Sequence, residues 1–185
     1  MTPAVGPTPM QDTMEHGDIL LSDLDASGIL RLTLNDTRRR NALSEAMLAR
    51  LAHAFAKAGA DAGVRVVVLA GHGPAFCAGH DLKELTTGRA APDGGRAYFA
   101  RIMAQCSGVM QGIVTCPKPV IAEITGIATA AGCQLVASCD LAIAATTAQF
   151  STPGVHIGLF FPPPWSPCRA MCPTNTRWKF CSPAT

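Results

Sequence analysis

Ile124–Leu141 reads ITGIATAAGCQLVASCDL, and its layout decides the fold class. The residues just before it, Pro119–Ile124 (PVIAEI), have the apolar run of a buried strand. A turn of small residues follows (TGIATAAG), and an apolar helix opens directly after it, over Gly132–Cys139. Leu141–Ala145 then reads as another strand. A helix start collects free backbone N–H groups, and its dipole favours negative charge there. The layout is therefore that of an oxyanion-holding turn, with Gln134, which cannot exchange a proton at neutral pH, in its first helical turn.

The same design occurs once more upstream. Val66–Leu85 reads VVVLAGHGPAFCAGHDLKEL, a β-branched strand (Val64–Ala70) suited to burial on both faces, a Gly-containing loop over Gly71–His80, and a helix start at Asp81. If the two strands are parallel neighbours, both turns emerge at the carboxyl edge of their sheet and can aim N–H groups at one carbonyl oxygen. Gly71-His72-Gly73 is not a dinucleotide loop, because Phe76 stands where the third glycine would be. Cys77 and Cys139 lack an evident activating base, which points to packing.

Working outward, Asp18–Leu21 and Gly28–Leu34 read as strands around the turn Asp25–Gly28. A basic run, Arg38-Arg39-Arg40, leads to Asn41-Ala42-Leu43. Ser44 is placed as an N-cap, with Leu48, Leu51, Ala52, Phe55 and Ala58 on one helical stripe and Gly59 or Gly63 as its end. Residues 86–95 read as an exposed loop. Ala97–Cys116 reads as a helix, with Phe99, Ile102, Met103, Cys106, Met110 and Ile113 at helical spacing. Strands alternating with helices predict an α/β fold with parallel crossovers.

Composition agrees with a single core. Of 185 residues 48% are apolar and only 15% charged, and the net charge of +2 gives no reason to expect nucleic acid or an anionic membrane as partner. Eight cysteines lie without a CxxC pair and without zinc-type spacing to the five histidines, so no metal site is expected. Residues 1–17 are Pro- and Gly-rich and read as a flexible N-terminus without a signal or transit pattern, which makes a cytoplasmic location the expectation and the mitochondrion the alternative.

The pair AFCAGHDLKE (Ala75–Glu84) and KPVIAEITGIATAAGCQLVASCDLAIA (Lys118–Ala144) resembles the crotonase, or enoyl-CoA hydratase/isomerase, superfamily. Asn41-Ala42-Leu43 and AQFSTPGVHIGL (Ala148–Leu159) support this, and the wording of AGHDLKEL and ATAAGCQLVASCDLA points to one subgroup. The resemblance implies a spiral of ββα turns that binds acyl-coenzyme A thioesters, trimeric in the intact family form, with coenzyme A as part of the substrate and no other cofactor. It assigns the two oxyanion N–H groups to His80 and Ala131. It places Asp81, Leu82 and Lys83 along the coenzyme A channel, with Ala42, Ala78 and the loop Arg38–Arg40 near the adenosine and its phosphates.

The departures bear on the reaction. The two glutamates that handle water in hydratases of this family correspond to Gln134 and Gly154. Each such group contributes roughly 10²–10⁴-fold, so efficient hydration is not expected. Ala131 replaces a common glycine, and its N–H still donates provided φ stays negative. His156, Glu84 and Asp140 are further titratable candidates, with Asp140 read as a structural cap.

The resemblance implies an acyl-CoA-binding core over residues 18–160. Phe161–Thr185 departs from it, with five prolines between Pro162 and Pro173 and no apolar period, and reads as disordered or non-native. In the neighbouring frame the codons of Pro173–Cys181 permit the A-x-E-L/I-L helix of the family, which suggests a frameshift near Phe160–Pro162. Three readings follow: an acyl-CoA enzyme without the hydratase glutamates, a non-catalytic acyl-CoA binder, or a truncated product that does not fold stably.

Overall fold

The computed structural model describes residues 18–152. The reading of residues 1–17 and 161–185, and the positions Gly154 and His156, lie outside them. The strands are β1 (Leu20–Leu24), β2 (Ile29–Leu34), β3 (Val66–Gly71), β4 (Ala75–Cys77), β5 (Val120–Ile124), β6 (Ile127–Thr129), β7 (Leu141–Ala144) and β8 (Gln149–Ser151). The helices are α1 (Glu45–Ala60), α2 (Leu82–Arg89), α3 (Arg96–Val114) and α4 (Ala131–Ser138). A single 3₁₀ turn covers Thr37–Arg39.

Two sheets form. The larger has the order β1-β2-β3-β5-β7, in which β1 is antiparallel to β2 and every other pair is parallel. The smaller has the order β4-β6-β8 and is wholly parallel. The chain thus visits the large sheet, then the small one, then a helix: β3, β4, α2 and α3; then β5, β6 and α4; then β7 and β8. This is the spiral of ββα turns that the resemblance implies, with the parallel crossovers expected from the alternation of strands and helices.

The core lies between the large sheet and its helices. Leu32, Leu34, Val67, Leu69, Val120, Ala122 and Ile124 are fully buried on the inner face, packed in one cluster with Met47, Leu48, Leu51 and Phe55 of α1 and Ile102, Val109 and Ile113 of α3. Period-2 alternation in β2 explains this, because Leu30, Leu32 and Leu34 point inward while Arg31 and Thr33 do not.

The structure corrects the sequence reading at several points. Strand β3 is not buried on both faces: Val66 and Val68 are half-exposed. There Arg31 reaches across β3 to Glu123, with guanidinium–carboxylate bonds of 3.1 and 2.8 Å, which hold Glu123 below its ordinary pKa. Ala52 is exposed, and Met103 is 38% exposed, so neither belongs to its helix's buried stripe. Helix α1 ends at Asp61, whose backbone N–H caps the carbonyl of Lys57, and not at a glycine. Residues 86–89 continue α2. Strands β4 and β6 fall in stretches read as a loop and a turn, and β8 in one given no secondary structure, because three-residue strands carry too little periodicity to declare themselves.

Candidate active site

The site is built where β4 and β6, parallel neighbours in the small sheet, run out into their turns. The sequence placed both turns at the edge of the large sheet; the short strands move them to the small one.

The first turn is held by the loop before α1. Arg40 and Asn41 adopt left-handed backbone (φ 53° and 54°), a conformation asparagine tolerates better than most residues. Asn41 is fully buried, and its Nδ2 donates to the carbonyls of His72 (3.0 Å) and Ala75 (2.8 Å). Ala78 N donates to Arg40 O at 3.1 Å and Leu43 N to Gly79 O at 2.7 Å, and Leu43 pairs with His80 as a parallel bridge. Just beyond, Asp81 caps α2 by accepting from Lys83 N (2.9 Å) and Glu84 N (3.3 Å). Arg39 Nη1 donates to the other oxygen of the same carboxylate at 2.9 Å. Glu84 in turn accepts from Glu45 N at 2.9 Å, so its carboxylate caps the start of α1.

The second turn leaves β6 through Ala130, whose φ of 51° and ψ of −120° are unusual for a residue with a Cβ. Ala131, where the resemblance implies a glycine, is not among the positive-φ residues and opens α4; the strain sits one residue earlier. Cys133 N and Gln134 N both bond to Ala130 O, at 3.0 and 3.4 Å. Among the described residues neither His80 N nor Ala131 N has an acceptor.

Glycines let the two turns touch. A Cβ on Gly79, which sits at φ +86°, would lie 3.1 Å from Ala130 Cβ and 3.4 Å from Ala131 N. A Cβ on Gly132 would overlap the Cys77 carbonyl. His80 follows directly on Gly79, and Ala131 lies between Ala130 and Gly132, beside both glycine-mediated contacts. Gln134 lies one turn along α4 from Ala131, on the same side of the helix, half-buried and without a side-chain hydrogen bond among the described residues.

Titratable groups around the turns are not poised for nucleophilic work. Burial pushes the Cys77 and Cys139 thiols up to about 12 and that of Cys106 to about 11, in keeping with a packing role. Burial also lowers the His80 imidazole pKa, an effect that the Leu43 main chain opposes only in part. Its Nδ1 is buried without a partner among the described residues. Asp140 accepts from Val120 N at 2.8 Å, which makes it the structural cap read from the sequence.

The remaining sequence candidates fall close by. Ala42 is buried and Ala78 half-buried, both along the loop-to-turn contacts above. Arg38, Arg40 and Lys83 are exposed, and Leu82 is 63% exposed at the start of α2. Asn41 and Glu84 do more than the sequence assigned them. Only the asparagine carried a signal, as a residue that accepts a left-handed turn.

Comparison with known proteins agrees with this geometry. The enoyl-CoA hydratase/isomerase family profile matches residues 25–169. Mouse enoyl-CoA hydratase domain-containing protein 3, mitochondrial, is 45% identical over 141 residues, which cover 76% of this chain and 45% of the mouse protein. That relative bears the name of the subgroup to which the wording of the two motifs points. A crystal structure of an enoyl-CoA hydratase from Mycobacterium smegmatis superposes with a TM-score of 0.73 at 53% identity, covering 78% of this chain and 54% of that one. The human enoyl-CoA hydratase domain-containing protein 3 structure gives 0.70 at 42%, covering 77% and 54%. The chain spans about half the length of these relatives. Among the described residues no helix is long and apolar enough to cross a membrane. With its two-sheet spiral and its paired glycine-bearing turns, the chain belongs to the enoyl-CoA hydratase/isomerase, or crotonase, family.

Proposed function

We propose that the chain binds acyl-coenzyme A thioesters and polarises the thioester carbonyl between the His80 and Ala131 N–H groups. The observation that carries this reading is the contact of the two turns, Gly79 against Ala130 and Gly132 against Cys77, beside two N–H groups that no described residue takes up. Ala131 adds the dipole of α4, which favours negative charge at that end. Enolate formation or addition next to a thioester carbonyl places such charge on its oxygen, and preorganised donors stabilise it by roughly 3–4 kcal/mol each.

The reaction differs from hydration. Gln134 and Gly154 stand where the resemblance puts the hydratase glutamates, so neither position supplies an acid or a base for moving water. Two outcomes are compatible with that: thioester enolate chemistry that relies on the oxyanion pair, or acyl-CoA binding without turnover. Calorimetry with a panel of acyl-CoA esters tests the first step. Crotonyl-CoA hydration, measured with the wild type and with Gln134→Glu, tests the second. Binding with hydration near background, raised by the variant, is expected. Absence of acyl-CoA binding would end the proposal, and rapid hydration by the wild type would end its second half.

A further inference from the structure

We propose that Arg39 is a positioning residue that sets the His80 N–H through Asp81, and that it does not hold a coenzyme phosphate. The inference rests on the thioester reading above and assigns a role to one cation of the Arg38–Arg40 run.

Three carboxylates surround its guanidinium. Asp81 lies at 2.9 Å, Glu84 at 3.6 Å and Asp36 at 3.8 Å. A phosphate brought to Arg39 would meet all three negative charges at close range, which opposes binding. It would also take the cation from Asp81, only 6% exposed, and leave Oδ2 of that buried carboxylate without its partner. All three arginines are exposed, Arg39 over 54% of its side chain, and what sets Arg38 and Arg40 apart is that neither makes an ion pair with a described carboxylate. The phosphate-accessible cations of the run are therefore Arg38 and Arg40.

What Arg39 does instead follows from the chain. Asp81 is the residue after His80, and its carboxylate is held from two sides, by Arg39 on Oδ2 and by the Lys83 and Glu84 N–H groups on Oδ1. The turn is thereby fixed on its carboxyl side by the Arg39–Asp81 pair and on its amino side by Leu43 N to Gly79 O. Arg39 reaches Glu84 as well, and Glu84 caps α1, so one guanidinium ties the 3₁₀ loop to the starts of both helices. An oxyanion donor works only within a few tenths of an ångström of its place, so slack at Asp81 is passed to the His80 N–H.

Acetoacetyl-CoA and acetoacetyl-pantetheine separate the two roles. Each can lose its C2 proton to solvent when bound, and the enolate, with its charge on the thioester oxygen, is read by near-ultraviolet absorbance. Arg39→Gln is expected to lower the bound enolate fraction about tenfold at fixed pH, and equally for both ligands, because the pantetheine form carries no nucleotide. Arg38→Gln and Arg40→Gln are expected to weaken the CoA form alone and leave its enolate fraction unchanged. Arg39→Lys keeps a cation at Asp81, guards against a folding failure, and should restore part of the enolate signal.

Loss of affinity for the CoA form alone in Arg39→Gln would overturn the assignment, as would no change with either ligand. A wild type that binds neither ligand refutes the thioester reading instead. The clamp is then judged by amide exchange in the free protein. Exchange at Lys83 and Glu84 about tenfold faster in Arg39→Gln supports it, and unchanged exchange overturns it.

Discussion

Gly132→Ala is the sharpest test of the site's geometry, because it adds one methyl group where the two turns meet. The new Cβ would overlap the Cys77 carbonyl and lie 3.0 Å from Cys77 Cβ. Neither neighbour yields easily: Cys77 is fully buried, and the obstacle is backbone in β4. Overpacking of this kind costs about 1–3 kcal/mol, even though alanine favours a helix by up to about 1 kcal/mol over glycine. The expected Tm is lower by about 3–10 °C. The damage is directional as well, since α4 can escape only by withdrawing from the first turn, which carries Ala131 N away from His80 N. Gly108→Ala on α3 is the matched control. A Cβ there meets nothing within 4 Å, so the same substitution should be stabilising by about 0.5–1 kcal/mol. Denaturant midpoints at constant m-value measure both. If Gly132→Ala were as harmless as Gly108→Ala, the two turns would not touch as described, and the argument for a shared carbonyl site would fall with them.

Other consequences are as direct. Asn41→Ala removes both bonds from Nδ2 to the His72 and Ala75 carbonyls and forces alanine into a φ of 54°. A loss of about 2–4 kcal/mol is expected in the denaturant midpoint. His80, whose folded pKa is depressed below 6.5, takes up its proton more readily when unfolded. Stability is therefore full above pH 6.5 and falls with pH from there down to the folded pKa. In His80→Gln this component of the slope should vanish, which unfolding titrations between pH 7.5 and 5 check. Among the described cysteines, iodoacetamide at pH 8 should label Cys116 and Cys133, half-exposed, before the buried Cys77, Cys106 and Cys139. Peptide mass mapping of the native protein reads the order, and early labelling of Cys77 would contradict its burial.

The sequence made the long elements legible and hid the short ones, for a physical reason. Val66–Val68 and Val120–Ile124 announce strands because a continuous apolar run has few other uses, and Ser44 announces α1 because a hydroxyl at that point can accept from Met47 N. Three-residue strands such as Ala75–Cys77 and Ile127–Thr129 owe their conformation to pairing with each other, so their own residues carry little signal. Yet these strands carry the turns at which the site is built. The tertiary engagement of Arg39 was equally hidden. A run of three arginines looks uniform in one dimension, and only the approach of Asp81, 42 positions away, distinguishes the middle one.

That contrast also explains how the site can persist while its chemistry changes. The two N–H groups are backbone, so what maintains them is glycine at 79 and 132, the strained turn at Ala130 and the clamps at Asn41 and Asp81. None of these depends on the side chain at 134. Gln134 is half-buried and makes no side-chain bond to a described residue, so replacing glutamate by glutamine there, or the reverse, leaves the packing of α4 intact. Under the proposed function, carbonyl polarisation and proton transfer thus fall to separable parts of the chain. Gln134→Glu should accordingly change turnover far more than stability or thioester affinity. A matching loss of thermal stability would show that the acid position is also structural.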